Sequence, residues 1–428
     1  LNPIIKNMVR CLGGGTMSEP LAYGIDFGTS NSSIAVTGRR RAATLDDLTD
    51  PGIASILYLD SGGLSLTGDV AAQQYLTRAD RAQTRLISSL KSTLTDDLFD
   101  QTSSWGRTWT LEDLTHYFFR DMKKAADERL GAKVKKVVIG HPVIFHGAEG
   151  DNFQALQRLA LKRLKGAARL AGFTQIAFLD EPTAALRHND LSSGINVALD
   201  FGGGTFDVSI IKYRSQRTEV LSTHGVAIGG DIFDGFIFDR ALKKRLGFND
   251  LTGNQAGYAI REARTTEGML RLVSQNPNAL SWLAQYTQNN KRSGLRIFER
   301  VVNSGQAYAL SKAVEAAKIK LSSRTTATVE LVRPDAGINI RQEVKREDFE
   351  SAIGKDLDQI FETINYTLED AGITAKDVDQ VILTGGSCQI PAFKRRVQAK
   401  FRASKISDAS VASRVSLGLA AEARRLWA

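Results

Sequence analysis

Asp26 and Asp200 each end an apolar run, and each is followed by Phe-Gly. Each opens onto a turn of small polar residues: Gly28-Thr29-Ser30-Asn31 after the first, Gly202-Gly203-Gly204-Thr205 after the second. A turn of this kind directs several backbone N–H groups into one concavity, and glycine lets the backbone approach a phosphate oxygen closely. A carboxylate beside it would repel a bare phosphate, but becomes useful when a divalent cation, its waters retained, lies between them. With Asp207 just beyond Thr205, the pattern points to two loops that grip the phosphates of one nucleotide from opposite sides, with Mg²⁺ between carboxylates. Taken alone, either turn reads as an ordinary glycine hairpin; the matched context of the two favours phosphate. The P-loop spacing GxxxxGK[ST] does not occur.

The elements around these turns look duplicated. AYGIDFGTSNSSIAVT (22–37) and NVALDFGGGTFDVSIIKY (196–213) share one pattern of strand, sharp turn and strand, and Asp26 and Asp200 lie 174 positions apart. Two lobes of similar architecture explain that spacing most simply. Leu111 to Leu130, with Leu111, Leu114, Phe118, Met122 and Ala125 at helical intervals, predicts an amphipathic helix. Lys136 to Ile144 reads as a buried strand, Phe153 to Ala171 as a basic amphipathic helix stopped by Gly172, and Gln175 to Leu179 as another strand. Glu181-Pro182-Thr183 starts the next helix, with Pro in its first turn. Phe236 to Ser322 is rich in Gln, Asn, Arg and Ala and reads as a helical insertion. Residues 326 to 345 return to β character, and Val381-Ile382-Leu383 is a buried strand leading into Thr384-Gly385-Gly386-Ser387. Strands and helices alternating in both halves make an α/β pattern.

Composition bounds the rest. With 428 residues, 42% hydrophobic and 24% charged, the chain is neither disordered nor a disulfide-stapled mini-protein. No run of about 18 apolar residues occurs, so no membrane span is expected. Residues 1 to 17 lack a continuous apolar core for a signal peptide and read as a flexible leader. Two cysteines, Cys11 and Cys388, make no framework and suit a reducing cytoplasm. Of the net charge of +9, much lies beyond Gln389, where nine basic residues face two acidic ones. Phe393, Val397 and Phe401 interrupt them at helical spacing, so the solvated face of packed helices is favoured over a nucleic-acid surface, and no nucleic acid or membrane partner is expected. His116, His141, His146, His188 and His224 are scattered without metal-ligand spacing, and Cys388 reads as a small buried residue.

GIDFGTSNS, DEPTAAL, LDFGGGTFDVS, IGGDIFD, EAAKIKLS and LTGGSCQIP occur in the order of the nucleotide-binding domain of DnaK-type chaperones, the heat-shock protein seventy family. The resemblance runs from about Tyr23 onward, and IGHPVIFHGAEGD is closer to the short YegD-type relatives. It implies an α/β, actin-like ATPase: two ribonuclease-H-like lobes with a cleft between them, each carrying an inserted subdomain. Lobe I would span 18–189 with an insertion near 45–110, and lobe II 190–428 with the helical insertion near 236–322. By the same resemblance Asp26 and Asp207 would hold Mg²⁺ through its waters. Thr29, Ser30 and Asn31, and from the other lobe Gly202, Gly203, Gly204 and Thr205, would contact the phosphates, together with Gly28, Gly229, Gly230 and Asp231. Lys91 would reach the γ-phosphate and orient the attacking water, which Glu181 and Asp200 would position. Glu315, Lys318 and Ser322, on one helical face, and Gly385, Gly386 and Ser387 resemble the ribose and adenine contacts.

Two features depart from the pattern. The arginines that sandwich the adenine in the family are here Ile319 and Gln389, which removes the cation–π contribution to base binding. The sequence also stops near the end of the family's ATPase domain, so the expectation is a slow Mg²⁺-dependent ATPase without the peptide-binding module, acting through a protein client or co-chaperone. An actin-like filament or scaffold ATPase and a sugar kinase of the same superfamily are the competing readings.

Overall fold

The computed structural model describes residues 20–38, 46–47, 52–78, 83–99, 101–148, 152–188, 191–214, 217–248, 277–291, 293–408 and 413–428. The expected leader, Cys11 and residues 249–276 of the expected helical insertion lie outside the described residues. The chain divides into two compact units, Leu1–Ile228 with Ile360–Cys388 and Arg396–Ala428, and Gly229–Gln359 with Gln389–Arg395.

The first unit opens with the expected hairpin, β1 (Pro20–Phe27) and β2 (Asn31–Gly38), to which the short β3 (Asp46–Asp47) and β4 (Ile53–Ala54) add. β5 (Ile56–Asp60), β6 (Ser65–Thr67) and β7 (Thr84–Ser88) form a separate three-stranded sheet with α1 (Asp69–Thr77), and β8 (Gln101–Ser104) pairs with β9 (Arg107–Thr110). Thr110 and Asp113 make a reciprocal capping box at the start of α2 (Leu111–Leu130), and Gly131 in the left-handed region closes it. The buried stripe of α2 is Leu111, Leu114, Thr115, Phe118, Phe119, Met122 and Ala126. Ala126 therefore replaces the expected Ala125, because 3.6 residues per turn carries the stripe one position further. β10 (Lys136–His141) ends before Pro142, shorter than expected, since proline donates nothing to a ladder. α3 (Phe153–Leu170), β11 (Gln175–Asp180) and α4 (Glu181–His188) follow as the sequence predicts.

β12 (Gly194–Phe201), β13 (Phe206–Arg214) and β14 (Arg217–Val226) form the second antiparallel set. The second unit then contributes α5 (Gly230–Ala241), α6 (Pro277–Asn289), α7 (Leu295–Asn303), α8 (Ala307–Leu321), the hairpin β15 (Thr326–Arg333) with β16 (Ile338–Lys345), and α9 (Arg346–Ala352). α10 (Gly354–Asp370), β17 (Gln380–Thr384), α11 (Pro391–Lys400), β18 (Lys405–Asp408) and α12 (Ser413–Trp427) complete the chain order.

The repeat is visible in the pairing. In the order β11-β10-β1-β2-β3 one strand carries an antiparallel hairpin partner on one side and two successive parallel strands on the other. The order β14-β13-β12-β17-β18 does the same, with β12 in the place of β1. The first sheet is buried on both faces. Tyr23, Ile25 and Phe27 alternate onto the core that includes Phe118, Phe119 and Met122 of α2 and Leu164 of α3. Ala22 and Val138 face Val415, Leu419 and Ala423 of α12. On that side a Cβ at Gly24 would stand 2.3 Å from Ala420 N, and one at Gly418 would stand 1.7 Å from Ala184 O. Glycine at both positions is what lets the backbone of α12 touch β1 on the sheet and α4 beside it.

The basic terminal segment matches the helix-face reading. Phe393, Val397 and Phe401 are buried, Arg395 pairs with Glu350, Arg425 pairs with Glu422, and Arg396 lies 4.4 Å from the Phe361 ring centre. Among the described residues, no helix is long and apolar enough to cross a membrane.

Candidate functional site

Parallel strands send their chain exits to one edge of a sheet, the usual place for ligand groups in α/β proteins. β1, β10 and β11 run parallel, and their exits carry Gly28–Ser30, Pro142–Val143 and Glu181. β12 and β17 run parallel, and theirs carry Gly202–Gly204 and Gly385–Ser387.

The first turn is rigidly held. A Cβ at Gly28 would stand 2.1 Å from Asn31 O, so no other residue fits there without moving the loop. Ser55, at the mouth of β5, clamps it: its hydroxyl donates to Gly28 O at 2.8 Å and its N–H to Ser30 O at 2.8 Å. In the second turn Gly202 N–H donates to Thr205 O at 3.0 Å, and Ser387 Oγ donates to Gly202 O at 2.8 Å. Gly385, in the left-handed region at φ 83°, leaves room for Phe201 O and Asp200 Oδ1, which a Cβ would crowd to 2.3 and 2.9 Å. The two turns meet: a Cβ on Gly204 would stand 2.8 Å from Thr29 Oγ1.

Charged groups gather beside the turns. Asp200 and Asp207 are directly opposite on β12 and β13. Asp207 accepts from Thr205 Oγ1 at 2.8 Å and from the Val143 N–H at 2.9 Å. Gly225 on β14 gives it space, since a Cβ there would stand 2.4 Å from Asp207 Oδ1. Lys91 lies in a single 3₁₀ turn, Leu90–Thr93, entered through Ser89 in the left-handed region at φ 55°. Its Nζ is 2.5 Å from Glu181 Oε1, and both side chains are less than a tenth exposed. Glu181 heads α4, whose cap is Asp180, accepting from Thr183 N at 2.9 Å.

Burial pushes Asp200 up to about 8 and Asp207 up to about 7, reinforced in both by the charge of Glu181 and offset in part by Lys91. For Lys91 burial pulls the opposite way, yet Glu181, Asp26 and Asp207 outweigh it and raise the ammonium pKa. Four carboxyl groups thus act around one buried lysine, more acid than that one cation neutralises once all are ionised. Ser55, Val143, Gly225 and Asp180 were not singled out in the sequence. The contacts of Ser55, Val143 and Gly225 reach across many residues, and a serine or glycine in an unremarkable context carries no motif, whereas Asp180 lies inside DEPTAAL and acts locally, as a helix cap.

The remaining expected residues lie in the second unit. Gly229 precedes α5, whose first turn holds Gly230 and Asp231. Lys318 of α8 donates to Gly230 O and to Asp234 Oδ2, each at 2.9 Å. Asp234 is a partner the sequence did not reveal, and burial holds its pKa up to about 7 despite the lysine. Glu315 accepts from Lys312 at 2.6 Å, and burial, which would raise its pKa, is outweighed by Lys312 and Lys318. Ser322 stands one residue past the end of α8, at its cap, so the expected three-residue helical face is two residues and a cap. Ile319 is 60% exposed, and Gln389 accepts from Lys394 Nζ at 2.6 Å. Cys388 is fully buried, its thiol 2.9 Å from Thr384 O.

Comparison with known proteins agrees with the geometry. The family model described as Hsp70 protein matches residues 22–256 and 283–425. The chaperone protein DnaK of Mycoplasmopsis pulmonis is 26% identical over 397 residues, covering 89% of this chain and 54% of that protein. DnaK of Halobacterium salinarum is 29% identical over 392 residues, covering 89% and 52%. The chain therefore spans about half the length of these curated relatives. A duplicated sheet, two facing glycine turns at strand exits and a family match over most of the length lead to one assignment: the chain belongs to the Hsp70 family and has its actin-like ATPase fold.

Proposed function

We propose that this chain is a Mg²⁺-dependent ATP-binding protein that hydrolyses ATP slowly, in the manner of a DnaK-type chaperone. The observation that carries the reading is the meeting of the two glycine turns at Gly204 and Thr29, beside a cluster of carboxylates with one buried lysine. Backbone N–H groups of Gly28–Asn31 and Gly203–Thr205 would donate to phosphate oxygens, with Gly202, its N–H closing the turn onto Thr205 O, lining the same loop, and Thr205 would turn its hydroxyl from Asp207 to the γ-phosphate. Lys91, carried by Glu181, would reach the γ-phosphate, while Glu181 and Asp200 would orient the attacking water.

The donor set fits a divalent cation. Asp26, Glu181, Asp200 and Asp207 outnumber Lys91, and a bound cation would favour the ionised forms of Asp200 and Asp207 that burial disfavours. Among the described residues no three His, Cys, Asp or Glu side chains form a direct metal-ligand group, so a cation there would have to retain waters, with Asp26 and Asp207 as their acceptors. Bound Mg²⁺ would supply charge neutralisation on the phosphates. Gly385, Gly386 and Ser387 remain the proposed nucleoside loop. For Gly229, Gly230, Asp231, Glu315, Lys318 and Ser322 the resemblance alone supports a nucleotide role. The two-lobe division and a protein client or co-chaperone belong to the same proposal. So does a cytoplasmic location, which the buried free thiol of Cys388 suits.

Calorimetry with ATP, ADP and GTP, with and without Mg²⁺, tests this. ATP and ADP should bind, and Mg²⁺ should tighten both. Asp26→Ala and Asp207→Ala should abolish Mg²⁺-dependent turnover while circular dichroism stays native. Absence of nucleotide binding, or turnover unchanged in both variants, would overturn the assignment.

A further inference from the structure

The 3₁₀ turn that carries Lys91 is a strained, short element, and short 3₁₀ turns have little stability of their own. Ser89, which enters it, is a non-glycine residue in the left-handed region, a conformation that persists only where the surroundings over-determine it. Ser92 holds Ser89 locally, its N–H and Oγ donating to Ser89 O at 3.1 and 2.7 Å, and the segment that follows the turn is held from α3. Arg163, 4% exposed, donates through Nη1 to Leu94 O at 2.9 Å and Asp96 O at 2.8 Å, and through Nη2 to Phe99 O at 3.0 Å. Leu94 in turn donates its N–H to Lys91 O, closing the turn. Leu90 and Leu94 share a core with Ala160, Leu164 and Ala167 of α3, and Thr95 Oγ1 fixes the same segment to His146 O at 2.5 Å. A guanidinium can hold three carbonyls because its donors diverge in one rigid plane, and an ammonium cannot reproduce that fork.

We infer that Arg163 is a positioning residue for the phosphoryl-transfer step: it clamps residues 94–99 and so holds Lys91 at the carboxylates and the phosphate turns. The inference rests on the proposed role of Lys91. Arg163 touches carbonyl oxygens that leave the Lys91 side chain untouched, so its loss should shift Lys91 while leaving the glycine turns in place. A displacement of about 1 Å of a catalytic group costs on the order of 100-fold in rate. Nucleotide affinity, set by the turns, should move far less.

The test uses the full chain in single-turnover hydrolysis, with nucleotide affinity measured separately. Arg163→Met should slow hydrolysis on the order of 10- to 100-fold with ATP affinity within about 2-fold, Arg163→Lys should recover only part of the rate, and Arg163→Met added to Lys91→Ala should slow nothing further. If Arg163→Met does not fold, Thr95→Val, which releases the same segment at His146 O, should give the same rate-against-affinity split. The inference fails if Lys91→Ala slows hydrolysis while Arg163→Met does not, or if the two losses multiply independently. Unchanged hydrolysis in Lys91→Ala would instead overturn the role of Lys91, and this inference with it.

Discussion

Asp200 and Asp207 face one another across β12 and β13, with Glu181 beside them and Lys91 the cation that acts on both. Their folded pKa values, about 8 and about 7, lie above the ordinary carboxylate value of 3.8. Between the unfolded and folded values the folded protein therefore binds more protons than the unfolded chain. The stability this contributes is present below the unfolded value and lost as pH rises through the folded one. The melting temperature of the protein without nucleotide should fall between about pH 4 and about pH 8, and the fall should be shallower in Asp200→Asn. Equal slopes in the two proteins would remove the protonated-carboxylate account. The turns around this cluster were legible in the sequence because the same arrangement of Gly, Ser and Thr between two apolar runs occurs twice. The bonds that fix the cluster were not. Val143 reaches Asp207 through a backbone N–H, which any residue type supplies, and Arg163 reads in the sequence as one more cation on a basic helix.

At the scale of elements, α12 packs on the first sheet and on α4 by close backbone contact as well as by apolar side chains. Gly418 lies against Ala184 O and Gly24 against Ala420 N. Any side chain at these points must push α12 away from α4 or β1. Gly418→Val should therefore destabilise by at least about 1–3 kcal/mol, the usual cost of overpacking, whereas Gly354→Ala, with nothing within 4 Å and no left-handed backbone to strain, should cost less. Urea unfolding of the two variants decides between them; equal losses would contradict the close-packing account. Periodicity located α2, α3 and the two hairpins closely, because each has one clearly apolar face. It did not reveal that α12 would serve β1, since no sequence pattern marks which distant sheet an amphipathic helix will cover.

At the scale of the molecule, the proposed phosphate turns, the carboxylates and Lys91 all belong to the first unit, which is assembled from three separate chain segments. All of them lie in the first of those segments, Leu1–Ile228, and a ligand bound there stabilises the folded state over the unfolded one. Mg²⁺ with ADP at about 100 times its dissociation constant should add about 2.7 kcal/mol and raise the melting temperature accordingly. The Mg²⁺-dependent part of that rise should vanish in Asp207→Ala; if it persists there, Asp207 does not hold the cation. The reach of α12 also sets a timetable. Residues 20–27 of β1 leave the ribosome early, while the helix that shields one side of them begins at residue 413. At about 5–20 residues per second the nascent first sheet waits on the order of tens of seconds with Ala22 and Val138 uncovered. During that interval the uncovered apolar face of the nascent sheet is open to association with other chains.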